Sequence, residues 1–166
     1  MKAALLFDFV VDKANKTILI KREFAAGRSL VWDAYTKSEL LDQWWAPKPW
    51  RSKTKKMDFR EGGEWHYAMV GPEGEEHWAL AKYLRINPKT SFTVKDSFAD
   101  SEGHVNKELP ESNWEMKFSD QDDRTLVEGR LSYDSLEQLE ATIQMGFKEG
   151  LSQAMENLDA LLPSLK

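Results

Sequence analysis

The spacing of apolar positions changes character along the chain, and each change predicts a different element. ALLFDFVV (residues 4–11) and TILIKREF (residues 17–24) are rich in β-formers and flank the polar DKANK, a pattern that predicts a hairpin. Helical spacing then takes over. Leu30, Val31, Ala34 and Tyr35 share one face of GRSLVWDAYT, with Ser29 available as a cap. Ser38 is placed to cap a second short helix, ELLDQWW, which Pro47 and Pro49 bring to a stop.

From Lys53 to Tyr133 the period is two. KTKKMDF, EWHYAMV, HWALAKYLRI, SFTVKDSF, NWEMKFS and TLVEGRLSY alternate or are rich in β-formers, and REGGEW, GPEGEE, NPKT and DQDD lie at the turns. The glycine pair of REGGEW predicts a tight turn or bulge. In EWHYAMV, Trp65, Tyr67 and Met69 face one side and Glu64, His66 and Ala68 the other. Phe92, Val94 and Phe98 share a face that also carries Asp96, and Trp114, Met116 and Phe118 share another. With the N-terminal pair this makes about seven or eight strands, whose hairpin-length links favour antiparallel pairing.

The last segment returns to helical spacing. From Ser135, a capping serine, to Leu162, apolar residues recur at three and four, which predicts one helix of about 27 residues spanning roughly 40 Å. Gly146 and Gly150 interrupt its stripe at about 1 kcal/mol each relative to alanine. Such glycines suggest the close approach of a strand or ligand. The elements together predict an α+β fold in which a curved antiparallel sheet wraps a long C-terminal helix, with two short helices after the N-terminal strands. No repeat or linker divides the chain, so residues 1–166 are expected to form a single domain.

A sheet curved around a helix leaves a space between the two layers. The inward face (Trp65, Tyr67, Met69, Phe92, Trp114, Met116) is aromatic and contains methionine, the side chains that line adaptable apolar pockets. A partly open pocket is therefore expected, with a filled core as the alternative. Trp44 and Trp45 are adjacent, so on a helix they point about 100° apart. Either both pack in the core, or one anchors the corner and the other is free to touch a ligand or partner. Phe147 faces the sheet by periodicity, as core or cavity wall. Alternation places Lys55 on the side of Met57 and Phe59, which invites an acidic ligand group or a carboxylate partner; a twist or bulge would return it to solvent.

Composition narrows the function. The chain has 166 residues, 41% hydrophobic and 31% charged, an ordinary globular balance. Its formal net charge of −5 disfavours nucleic-acid binding, and the basic stretch KPWRSKTKK reads as a lysine-protected strand edge. Zero cysteines remove disulfides and thiolate nucleophiles. The longest apolar run, Ala3–Val11, contains Asp8 and is too short for a membrane span. The N-terminus lacks the features of a signal peptide, so a cytoplasmic location is expected. His66, His77 and His104 have no metal-ligand spacing, and no nucleophile elbow, phosphate loop or dinucleotide fingerprint occurs. No metal, cofactor or catalytic residue is assigned. Asp96 and Glu115 could lie near a cavity, but nothing pairs them for acid–base work.

TILIKREFAAGRSLVWDAYTKSELLDQWWAPKPW, MDFREGGEWHYAMVGPEGEEHWALAKYLRINP and FKEGLSQAMENLDALL, in that order, resemble the activator-of-heat-shock-protein-90-ATPase homologue type of domain. That type belongs to the SRPBCC superfamily, with the START and birch-pollen allergen types. The resemblance spans Phe7 to Leu162. It implies a helix-grip, START-like fold with a deep, mostly apolar cavity between helix and sheet, and it places WWAP near the cavity entrance. The ligand-binding residues expected are then Trp44, Trp45, Lys55, Trp65, Tyr67, Met69, Phe92, Trp114, Met116, Phe118 and Phe147.

The function expected is binding of a hydrophobic small molecule, lipid-, polyketide- or flavonoid-like. A guest burying about 300 Å² would gain roughly 7 kcal/mol gross. Association costs leave an affinity nearer micromolar than nanomolar. The alternatives are a cavity enzyme of cyclase, dehydratase or hydrolase type, and an interaction module acting on a chaperone ATPase. A chaperone partner is not expected, because the eukaryotic co-chaperones carry a further N-terminal domain for which there is no room before Phe7. The sequence does not decide self-association and allows a weak homodimer.

Overall fold

The computed structural model describes residues 5–166, and Ala4, the first residue of the expected opening strand, lies outside them. The hairpin forms from β1 (Phe7–Asp12) and β2 (Thr17–Phe24). Two helices follow, α1 (Arg28–Thr36) and α2 (Ser38–Trp44). A run of strands comes next: β3 (Arg51–Met57), β4 (Glu64–Val70), β5 (Glu76–Asn87), β6 (Ser91–Ala99), β7 (Ser112–Gln121) and β8 (Arg124–Tyr133). The chain closes with α3 (Leu136–Gln144) and α4 (Phe147–Leu165).

Every strand pairs antiparallel with its neighbours, in the order β1-β2-β8-β7-β6-β5-β4-β3. Hairpins account for most of this order. The one long-range junction is β2 on β8, which brings the two ends of the strand series together; Ile20 lies opposite Gly129 there. The sheet is curved, with α1, α2 and α4 on its concave face. Leu151, Ala154, Met155, Leu158 and Leu162 form the buried stripe of α4. Each large side chain in that stripe contributes about 1.5–3 kcal/mol of burial.

The caps differ from expectation at both short helices. Gly27 is the N-cap of α1 and Lys37 that of α2, neither with a side-chain cap, so Ser29 and Ser38 lie inside their helices. Ser135 does cap α3: its hydroxyl accepts from the Gln138 amide at 3.2 Å.

The expected 27-residue helix is two helices. Gly146 adopts φ +82°, a left-handed conformation that glycine enters without a Cβ clash, and its amide donates to the Ile143 carbonyl at 3.1 Å. The same residue ends α3 and opens α4. Apolar spacing continued across the break and concealed it. Glycine is also required at the β3–β4 turn: a Cβ on Gly63 would lie 2.0 Å from the Asp58 carbonyl oxygen.

Arg22 is a charge on an inward face. It is buried and pairs with Asp159 of α4, tying β2 to that helix. The pair crosses the core beside Tyr35 and leaves Asp159 Oδ1 without a hydrogen-bond partner.

Candidate functional site

The WWAP corner is built by α2 and held by α4. Trp44 is 1% exposed, donates its indole N–H to the Ala34 carbonyl at 2.9 Å, and meets Tyr35 edge-on with centroids 4.9 Å apart. It anchors the corner and does not line the cavity. Trp45 is only half-buried, and its indole N–H donates to the Tyr67 hydroxyl at 3.0 Å. Asn157 of α4 donates to the Ala46 carbonyl at 3.0 Å, securing the chain just beyond. Pro47 lies against Gly150 at ordinary van der Waals distance, 3.8 Å from where a Cβ would stand. The approach expected at Gly150 is therefore real but does not itself demand glycine.

Between this corner and the sheet lies a cavity of about 40 Å³. The Trp65 and Tyr67 rings stack at 3.8 Å on one wall, and Phe92, Trp114 and Met116 line others. The Trp65 indole N–H is satisfied by Thr54 Oγ1 at 3.0 Å, and the Thr54 hydroxyl donates to Asp42 at 2.7 Å, so this wall is fixed from behind. A second cavity of about 10 Å³ lies between β8 and α4, bordered by Val127, Leu151 and Met155. Tyr35, Trp45, Trp114 and Met116 border both cavities and form the partition between them. Aromatic side chains fill most of the space between the layers. What remains holds about three waters, well short of the deep cavity expected.

Trp45, Trp65, Tyr67, Phe92, Trp114 and Met116 are thus brought together around one space. The other residues anticipated as ligand contacts lie elsewhere. Phe118 is buried in an aromatic cluster with Trp32, Tyr35 and Phe92. Met69 packs on the core away from the cavity. Phe147 opens α4 and packs against Phe9 and Trp114, with centroids 6.1 and 6.0 Å apart.

Lys55 is turned outward, which corrects the alternation reading. The register slips between Thr54 and Lys56, so Thr54 and Met57 pair with Tyr67 and Trp65 while Lys55 is the extra residue of a bulge. Its ammonium donates to the Ser101 carbonyl on the outer surface and sits over the Trp78 ring at 5.8 Å. The outer face of β4 is also more covered than alternation implies. His66 is buried beneath the β6–β7 loop, with Nε2 hydrogen-bonded to the Asp100 carbonyl at 2.8 Å.

Asp96 is the residue whose importance the sequence understated. It is only partly exposed, it borders the cavity, and it has no hydrogen-bond or ion-pair partner among the described residues. Burial pushes its carboxyl up to about 7. Tyr67, Tyr83 and Tyr133 feel its charge, which adds to the desolvation that raises their hydroxyls. The signal was present in the sequence, since Asp96 alternates with Phe92, Val94 and Phe98. Ala81 and Tyr83, also at the cavity, were masked because Trp78, Leu80 and Leu84 make the other face of β5 equally apolar. Among the described residues no three His, Asp or Glu side chains group as metal ligands. No helix there is long and apolar enough to cross a membrane.

Fold and cavity together define the helix-grip class, a curved antiparallel sheet closed by a C-terminal helix over an aromatic interior. The chain belongs to the family described as Activator of Hsp90 ATPase homolog 1-like protein, whose profile matches residues 25–163. Solved structures agree. Protein Ms6760 from Mycobacterium smegmatis is 31% identical, with 96% of this chain and 97% of that one covered at a TM-score of 0.87. A protein from Arthrobacter aurescens is 27% identical, with 95% and 91% covered and a TM-score of 0.88. Protein NE0264 from Nitrosomonas europaea is 25% identical, with 91% and 96% covered and a TM-score of 0.79. No curated protein matches the chain.

Proposed function

We propose that this protein binds a small, largely apolar molecule between the sheet and the helical layer. One observation carries the reading: eight aromatic or methionine side chains from α1, the end of α2, β4, β5, β6 and β7 converge on space that they leave unfilled. A purely structural core would be expected to close such a gap, because interior voids cost packing energy.

The resting cavity is too small for an aromatic guest, so binding is coupled to side-chain movement. Trp45 and Met116 are the movable parts. Both belong to the partition between the two cavities, Trp45 is partly solvated, and methionine repacks at low cost. Swinging them aside merges the two spaces. Breaking the Trp45–Tyr67 hydrogen bond costs about 1 kcal/mol, small against the burial of an apolar guest.

Titration with toluene, naphthalene and a medium-chain fatty alcohol, read by tryptophan fluorescence and by thermal shift, tests the proposal. Saturable quenching with a raised Tm is expected for at least one. Trp45→Ala, which enlarges the space, should extend binding to bulkier members of the series. Neither quenching nor stabilisation by any of them, in either protein, would remove the function.

A further inference from the structure

We infer that the cavity is selective for apolar amines, with the Asp96 carboxylate meeting the ammonium group inside a box of aromatic faces. This rests on the binding function proposed above and specifies its ligand class.

The lining supplies one sign of potential. Asp96 is the ionisable acid at the cavity, and among the described residues neither Lys, Arg nor His borders it. Around it stand Trp65, Tyr67, Tyr83, Phe92 and Trp114, whose ring faces carry negative electrostatic potential and attract cations at short range. A fatty acid or other carboxylate entering this space would meet a like charge and find no cation to offset it. A hydrocarbon would leave the carboxyl desolvated and unpaired. A protonated amine answers both deficits, giving Asp96 an ion-pair partner and the rings a cation.

The position of Asp96 argues against a merely structural role. On the inward face of β6 it lies opposite Ala81 of β5 and Ser112 of β7. The Ser112 hydroxyl is engaged by the Trp114 indole N–H at 2.7 Å. No side chain of the described residues hydrogen-bonds the carboxyl or pairs with it. A carboxyl with restricted access to water and no protein partner is costly, and it is retained where something else completes it.

The groups facing Asp96 from the packed elements are Tyr67 on β4, Tyr83 on β5, Ser112 on β7, Tyr133 on β8 and the half-buried Trp45 at the end of α2. The tyrosines are held above their ordinary range and stay neutral, so within this set of facing groups the charge that changes near pH 7 is that of Asp96. Amine preference should therefore grow as pH rises through that value.

The experiment uses benzylamine, benzyl alcohol, toluene and benzoate, matched in size so that each demands the same opening of the cavity. At pH 8 benzylamine should bind about tenfold tighter than toluene or benzyl alcohol, with benzoate weakest, a difference of about 1.4 kcal/mol. Asp96→Asn should abolish the tenfold preference, bringing the affinities of benzylamine and toluene to within about twofold of each other. In the unmodified protein the benzylamine-to-toluene ratio should rise severalfold between pH 6 and pH 8, a readout that holds even if the variant folds poorly. Equal affinity for amine and hydrocarbon, or a ratio flat with pH, overturns the amine inference and leaves apolar binding standing. Failure of all four ligands to bind overturns both.

Discussion

The Trp45 indole N–H donates to the Tyr67 hydroxyl at 3.0 Å, joining the end of α2 to the middle of β4 across the cavity. The bond does two things. It gives a partly buried indole its acceptor, and it latches the helical corner to the sheet. Tyr67→Phe removes the acceptor while keeping the ring stacked on Trp65. Denaturant unfolding should show a loss of about 1 kcal/mol, and stopped-flow fluorescence should show faster ligand entry. Unchanged entry rates would mean that Trp45 is not the moving part.

Asp96 links stability to pH. Burial raises its folded-state carboxyl from 3.8 to about 7, so between those values the folded protein holds a proton that the unfolded chain has released. Stability should therefore fall as pH rises from about 4 to about 7 and level off above. Asp96→Asn removes this slope. Chemical denaturation at pH 8 should find the variant more stable by roughly 2 kcal/mol, about half the full worth of the shift because the carboxyl is partly solvated, with the gap closing near pH 4. A gap independent of pH would point to packing instead.

Gly146 and Gly150, both in the C-terminal helical segment, should respond oppositely to alanine. Gly146 sits at φ +82°, where a side chain costs about 1 kcal/mol, so Gly146→Ala should lower stability by that amount. Gly150 is helical, and a Cβ there meets only Pro47, at 3.8 Å. Gly150→Ala should raise stability by about 0.5–1 kcal/mol through helix propensity. Thermal melts of the two variants check both signs at once.

Gly129→Ala probes the cavity from the sheet side. Its Cβ would stand 3.2 Å from Met116 Sδ, so the thioether must shift, and the unfilled space beside it is available. Stability should change by less than about 1 kcal/mol, because methionine repacks easily. Affinity for toluene should fall severalfold as Met116 takes up the vacated room. Unchanged affinity would show that Met116 does not border the guest.

Much of the architecture was legible because strand side chains alternate with period two. EWHYAMV gave β4 residue for residue, and the inward triplet Trp114, Met116 and Phe118 followed from spacing alone. Of the site, the aromatic wall could be read in the same way. Asp96 could be placed on the inward face but not recognised as partnerless, since a missing partner is a property of every neighbouring strand together.

By itself the sequence determined which faces are apolar, where the chain turns and which residues point inward, because these depend on local backbone geometry and neighbours a few positions away. The tertiary structure alone decided three other matters. One residue of slippage after Thr54 sends Lys55 to the surface, and one left-handed glycine, Gly146, divides the final helix. The room left at the centre is a small difference between two large volumes, that enclosed by the layers and that of the side chains filling it. Such a difference is set by how the layers settle on one another, and no local pattern encodes it.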